Sequence, residues 1–219
     1  KPFRMDQILA AINNCIERQE IRRENFVLRR QVDQIYENSN IVGDSQLMQN
    51  LFTTIKYVAP TPSTILIEGE TGTGKELAAK SIHDLSERSG SFVPVNCGAI
   101  AADLLESELF GHAKGAFTGA HQRREGLFSY ANDGTLFLDE IGEMPISMQA
   151  HLLRVLEEKS IRPVGSNKEL PVNVRIIAAT NKELGKLVEA GLFREDLYFR
   201  LNVLNLQIPP LRSRSTDLN

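Results

Sequence analysis

The run Gly69-Glu70-Thr71-Gly72-Thr73-Gly74-Lys75 has the composition of a cradle for phosphate. Its glycines let successive backbone N–H groups converge on anionic oxygens at the start of a helix, and Lys75 adds a point charge for β and γ phosphates. Glu76 stands where Ser or Thr ordinarily helps to hold magnesium; a carboxylate is also a hard oxygen ligand, so metal binding at that position stays open. A second chemical signal is GTLFLDEIGEMP, in which an apolar run delivers Asp139 and Glu140. Asp139 is placed to hold magnesium through water, and Glu140 to polarise an attacking water. Alone, an acidic pair after an apolar run is as common in ordinary turns. Downstream of a phosphate loop, the pair describes nucleoside triphosphate hydrolysis by positioning and electrostatics.

These groups need elements that bring them together. Strands are expected at Thr64–Glu68, Phe92–Asn96, Leu136–Asp139, Val174–Thr180 and Val203–Ile208, alternating with helical segments. That alternation is the pattern of a parallel α/β sheet. The first strand runs into the glycine loop, and a helix rich in Leu, Ala and Lys follows, as phosphate cradling requires. Thr135–Leu138 carries Asp139 and Glu140 to the carboxyl end of a strand, where open α/β sheets bind ligands. Pro94 cannot donate to a ladder, which makes its strand an edge. The stretch GHAKGAFTGAHQRRE, from Gly111 to Glu125, fits neither helix nor strand and reads as a long glycine-hinged loop with a lone aromatic, Phe117.

The chain of 219 residues is 42% hydrophobic and 24% charged, enough for one large domain with a real core. A net charge of -3 leaves no electrostatic footprint for wrapping nucleic acid. Cys15 and Cys97 sit in no metal or redox spacing and read as buried thiols of a reducing compartment. With no signal peptide and no apolar run long enough to span a bilayer, a cytoplasmic protein without membrane contact is expected. The chain reads as cut at both ends. It opens on KPF and an amphipathic stretch with Ile8, Ile12 and Ile16 at helical spacing. A charged segment follows in which Ile21, Asn25, Leu28, Val32 and Ile35 occupy successive a and d heptad positions, as a short dimerising coiled coil or a solvated connector helix would.

The ordered set IVGDS, GETGTGKE, VNCGAI, ESELFGHAKGAFTGA, GTLFLDEIGEMP, LLRVLEE, VRIIAATN, FREDLYFRLNV and IPPLRSR closely resembles the AAA+ domain of bacterial enhancer-binding activators that work with sigma-54. The resemblance covers Asn40 to Asp217 and includes the hexapeptide GAFTGA, specific to this class among AAA+ proteins. It implies a P-loop fold with a five-stranded parallel sheet of order 5-1-4-3-2. It divides the chain into the last helix of a receiver domain (1–20), a helical linker (21–40), the AAA+ subdomain (41–208) and the start of a helical lid (209–219). Glu at position 76 is also usual in the family. Ile41, Val42 and Gly43 join the phosphate loop in the nucleotide-binding set, with ATP and magnesium as the implied cofactors.

The resemblance also assigns roles that the residues alone leave open. Asn96 matches the residue that hydrogen-bonds the catalytic Glu; by itself it is a strand-end cap. Asn181 matches the sensor of the γ phosphate; alone, Thr180 and Asn181 cap the next helix. Arg194 and Arg200 match arginine fingers that reach a neighbouring subunit; as bare sequence, beside Glu195 and Asp196, they are a solvated face. Gly115, Ala116, Phe117, Thr118, Gly119 and Ala120 would form the tip that ATP-driven movement brings against the sigma-54 RNA polymerase holoenzyme. Self-association from a dimer to a hexameric or heptameric ring is implied, and contact with enhancer DNA through a domain outside this chain. Two rival readings use the same residues: an AAA+ remodeller of another protein client, which has no need of Phe117, and a nucleotide-gated oligomerisation module without turnover.

Overall fold

A computed structural model describes residues 45–214. The expected terminal helix (1–20) and linker (21–40) lie outside these residues, as do Ile41, Val42, Gly43 and residues 215–219.

Helix α1 (Gln46–Val58) leads through a Pro-containing turn to β1 (Ile65–Glu68) and α2 (Lys75–Asp84). Then come β2 (Phe92–Asn96), α3 (Ala102–Phe110), a hairpin of β3 (Gly111–His112) and β4 (Arg124–Glu125), the short α4 (Leu127–Tyr130) and β5 (Thr135–Asp139). A 3-10 turn (Ile141–Glu143) and α5 (Ile146–Glu158) precede a second small hairpin, β6 (Ser160–Ile161) with β7 (Leu170–Pro171). The described chain closes with β8 (Arg175–Thr180), α6 (Leu184–Glu189), α7 (Glu195–Leu201), β9 (Leu204–Gln207) and a 3-10 turn (Leu211–Ser213).

The main sheet is five-stranded in the order β2-β5-β8-β1-β9, and every pairing in it is parallel. Numbered among themselves along the chain, these strands run 5-1-4-3-2, the order the resemblance implies. The Pro94 strand is an edge, paired among the described residues only with β5. At the other edge β9 is shorter than the expected Val203–Ile208, because among the described residues it pairs only with β1, which offers four residues.

Alternation along the strands feeds two apolar layers, so both faces of the sheet are covered. Ile65, Ile67, Phe137, Ile177 and Ala179 meet Met48, Leu51 and Ile55 of α1 and Ala78, Ala79 and Ile82 of α2. Leu66, Leu136, Leu138, Ile176 and Ala178 meet Leu105 and Leu109 of α3, Met148 and Leu152 of α5, and Leu197 and Leu201 of α7. Arg175, buried at the start of β8, fastens α1 to this sheet. Its guanidinium donates to the carbonyls of Val58, Ala59 and Ser63, capping the negative end of the helix. Burial, with the charge of Arg88 adding to it, pulls Arg175 down to about 10.

Candidate functional site

The phosphate loop joins the end of β1 to α2 and is shaped by backbone that ordinary residues resist. Gly72 and Gly74 have φ of +80° and +93°, in the left-handed region that glycine adopts without Cβ strain. Lys75, the first residue of α2, is buried, and its Nζ donates to the carbonyls of Gly69 and Glu70 at 2.9 Å each. The ammonium thus sits against the loop, at the positive end of a helix. Buried Thr73 closes the turn through its hydroxyl, which donates to the Glu70 carbonyl at 2.8 Å. Glu76 lies in the first turn of α2.

Asn181 comes to the same loop from the end of β8. Its side-chain amide donates to the hydroxyl of Thr71 at 3.1 Å, while Thr180 makes the local turn by accepting from the Lys182 N–H at 3.0 Å. The neighbours therefore divide the work differently from the helix cap the bare residues suggest: Thr180 makes the turn and Asn181 reaches the phosphate loop, while the N-cap of α6 is Glu183, with no side-chain cap bond.

Asp139 ends β5, and Glu140 turns the chain away with φ of +52°, a conformation unusual for a residue with a side chain. One Asp139 carboxylate oxygen accepts the Glu140 N–H at 2.9 Å. The Glu140 carboxylate lies over Gly98, where a Cβ would fall 2.5 Å from Oε2. Asn96 stands opposite Asp139 in the ladder, and its side-chain oxygen accepts the N–H groups of Gly98 and Ala99 at 2.8 and 2.9 Å. Among the described residues no hydrogen bond joins Asn96 to Glu140; the amides of Gly98 and Ala99 occupy the Asn96 oxygen, and the two side chains meet across Gly98 instead. Cys97 is buried beside them. Burial first, then the charges of Asp139 and Glu140, push its thiol up to about 12.

The glycine-hinged loop is carried on the β3–β4 hairpin, which leaves the core where Phe110 and Phe128 stack at 5.4 Å. Gly115 and Gly119 have φ of +81° and +104°, with open space where a Cβ would stand, so backbone conformation sets the need for glycine. A Gly115 N–H to Ala120 carbonyl bond of 2.8 Å closes the base of the tip. Ala120 is buried, whereas Phe117, Thr118 and Gly119 are exposed. Phe117 is not the lone aromatic that the sequence predicts. At 44% exposure its ring stands edge-on to His112 with centroids 5.0 Å apart, and His112 is held by a 2.7 Å bond between its Nδ1 and the Ser107 hydroxyl. Ala116 rests on Gly165 of the second hairpin, where a Cβ would lie 2.7 Å from its own.

The profile of the "Sigma-54 interaction domain" matches residues 41–207. The chain belongs to the sigma-54 interaction domain family. It is 51% identical over 203 residues to the Nif-specific regulatory protein of Herbaspirillum seropedicae, covering 92% of this chain and 38% of that protein. To the regulatory protein AtoC of Escherichia coli K12 it is 46% identical, covering 100% of this chain and 48% of AtoC. Among solved structures, NtrX from Brucella abortus in complex with ATP superposes with a TM-score of 0.77 at 38% identity, covering 100% of this chain and 48% of that one. The chain thus spans less than half the length of these relatives.

The remaining family positions lie apart from the phosphate loop. Arg194 is the N-cap of α7, and its guanidinium forms a two-pronged pair with Asp196, Nε to Oδ1 at 3.0 Å and Nη2 to Oδ2 at 2.7 Å. The hydrogen bond from Arg194 holds the Asp196 carboxyl below its ordinary range. Arg200, in the last turn of α7, is exposed and has no ion pair among the described residues. Neither arginine bonds the phosphate loop of its own chain. Leu192, Phe199 and Val203 are exposed around them.

Arg212 and Arg214, within IPPLRSR, strap the phosphate loop. Arg212 pairs with both oxygens of Glu70 at 2.7 Å, and buried Arg214 donates to the Thr73 carbonyl at 2.8 Å. Among the described residues no cluster of three or more His, Cys, Asp or Glu side chains could hold a metal. The donor set fits magnesium nonetheless: that ion keeps several waters and takes one or two carboxylates together with substrate phosphates, which Asp139 and Glu76 with a nucleotide would provide. No described helix is long and apolar enough to cross a membrane.

Proposed function

We propose that this domain hydrolyses ATP and uses the cycle to drive the GAFTGA tip against sigma-54 RNA polymerase, remodelling a closed promoter complex. The observation that carries the reading is a continuous covalent path between two differently built sites. Asn96 binds the turn at Gly98 and Ala99, and the Glu140 carboxylate lies over Gly98; that turn runs into α3, and α3 runs into the hairpin bearing Phe117 and Thr118.

At the nucleotide end, the Gly72 and Gly74 backbone and Lys75 bind the β and γ phosphates, and Asn181 senses the γ phosphate from β8. Ile41, Val42 and Gly43 complete the nucleotide contacts. Magnesium, held through Asp139 and Glu76, would neutralise charge on the phosphates. Glu140 orients the attacking water and draws its proton. A shift of the Glu140 carboxylate on loss of the γ phosphate disturbs the Gly98 turn, with Asn96 as the hinge, and α3 carries the displacement to the loop.

At the other end the tip offers one aromatic and one hydroxyl on glycine hinges, a chemistry suited to contact and withdrawal. Exposed Leu192, Phe199 and Val203 beside Arg194 and Arg200 support a second copy of the chain as partner, with the arginines completing its site. The receiver-end helix, the dimerising linker, the lid beginning near residue 209 and enhancer-DNA binding through a domain outside this chain belong to the same proposal, as does a cytoplasmic location. ATP turnover measured against protein concentration tests it. Superlinear activity is expected from shared sites, and a complete lack of turnover at every concentration would favour a nucleotide-gated assembly module.

A further inference from the structure

Gln149, near the start of α5, has no solvent exposure at all, yet it sits in an apolar layer with Met148 and Leu152. Burying a carboxamide is costly unless its groups are bonded. Its Nε2 donates to the carbonyls of Met144 at 2.9 Å and Leu192 at 3.1 Å, and its Oε1 accepts the N–H of Arg194 at 2.8 Å. The three partners lie on two segments. Met144 closes the 3-10 turn that Glu140 opens; Leu192 and Arg194 form the stem that enters α7.

The N–H of a helix's capping residue has no partner within the helix. Here a buried side chain from another element satisfies it, while the Arg194 guanidinium stays outside, engaged among the described residues only by Asp196. The residue is thus fixed at its root and presented at its tip, the arrangement by which a supporting shell fixes a functional group. An apolar side chain of similar length would fill the same space but leave the stem untied.

We infer that Gln149 is a positioning residue for Arg194: it fixes the backbone from which the guanidinium reaches a nucleotide held by a second copy of the chain, and ties that backbone to the turn carrying Glu140. The inference rests on the reading of Arg194 as a residue that acts in the neighbouring subunit. Removing such an arginine costs about a thousand-fold or more in turnover, and a misplacement of about 1 Å about a hundred-fold. Gln149→Met, unbranched and without strong hydrogen bonding, is therefore expected to lose about a hundred-fold in ATP turnover.

Mixed assemblies of the intact protein separate the roles. Gln149→Met mixed with Lys75→Ala should regain activity, because the Gln149→Met subunit supplies the nucleotide site and the Lys75→Ala subunit a well-placed arginine. Mixed with Arg194→Ala it should stay inactive, since neither subunit then offers a competent arginine. Rescue by Arg194→Ala alone would make Gln149 a servant of its own chain's Glu140 and overturn the inference. Rescue by neither would reduce it to a folding role. Arg194→Ala turning over ATP at the parent rate would instead overturn the underlying reading of Arg194. If Gln149→Met does not fold, amide exchange in the parent decides: the Arg194 N–H should exchange at least about a hundred-fold slower than in an unfolded chain, as a bonded core amide does. Fast exchange would overturn the inference.

Discussion

Glu140 combines two properties that mutation can separate. Its carboxylate is the proposed orienting base, and its backbone is held at φ of +52°, which a residue with a Cβ adopts at a cost of about 1–2 kcal/mol. Glu140→Gln keeps the size, the backbone and the seat over Gly98, so nucleotide binding and thermal stability should hold. Hydrolysis should fall by roughly a hundred- to ten-thousand-fold, the contribution of a positioned acid or base. Glu140→Gly should lose hydrolysis equally but release most of the backbone cost. Against this stands the greater freedom glycine gives the unfolded chain, worth roughly 0.4–1 kcal/mol. The difference is a net gain of up to about 1.6 kcal/mol, and each kcal/mol corresponds to about 2–4 °C in Tm for a domain of this size. Single-turnover ATP hydrolysis and thermal unfolding by circular dichroism read the two effects. A Glu140→Gln protein hydrolysing at the parent rate would remove Glu140 from the chemistry, and a Glu140→Gly protein less stable than the parent would refute the argument from backbone strain.

Three further outcomes are expected. Mixing Arg200→Ala with Lys75→Ala should restore part of the turnover that each lacks, since one interface in the mixture carries an intact site; mixtures no more active than the sum of the separate proteins would show that Arg200 does not act across subunits. The Cys97 thiol ionises near 9.0 when free and near 12 in the fold, so from about pH 9 to about 12 the unfolded chain loses this proton first. In that window folding stability should fall by about 1.4 kcal/mol per pH unit relative to Cys97→Ala, and parallel pH curves for parent and variant would contradict the burial argument. Because the chain contains no tryptophan, Phe117→Trp reports on the tip alone, and adding Gly165→Ala, whose Cβ would meet Ala116, should shift its emission; an unchanged spectrum would mean the tip does not rest on the second hairpin.

What the sequence disclosed follows from how local each signal is. The phosphate loop, the acidic strand end and the edge position of the Pro94 strand are written in adjacent residues, because glycine φ values, strand alternation and a missing N–H act over a few positions. Asn181 was ambiguous beside Thr180, since either side chain can make the turn; only the distance to Thr71 separates them. Gln149, Arg175 and Arg214 gave no signal, because their partners lie far along the chain and a polar residue inside an apolar period reads as a solvated position. The contact of Phe117 with His112 escaped for a related reason. The two small hairpins that bring the tip beside Val164 and Gly165 are too short to show alternation.

The central claim, that nucleotide state at the phosphate loop governs contact through the GAFTGA tip, is tested most directly by capture of sigma-54 in the presence of a transition-state analogue of ATP hydrolysis, comparing the parent with Thr118→Ala. The parent should retain sigma-54 only with the analogue bound, and Thr118→Ala should hydrolyse ATP and assemble yet retain none. A Thr118→Ala protein that captures sigma-54 as the parent does would leave the loop without the role proposed for it.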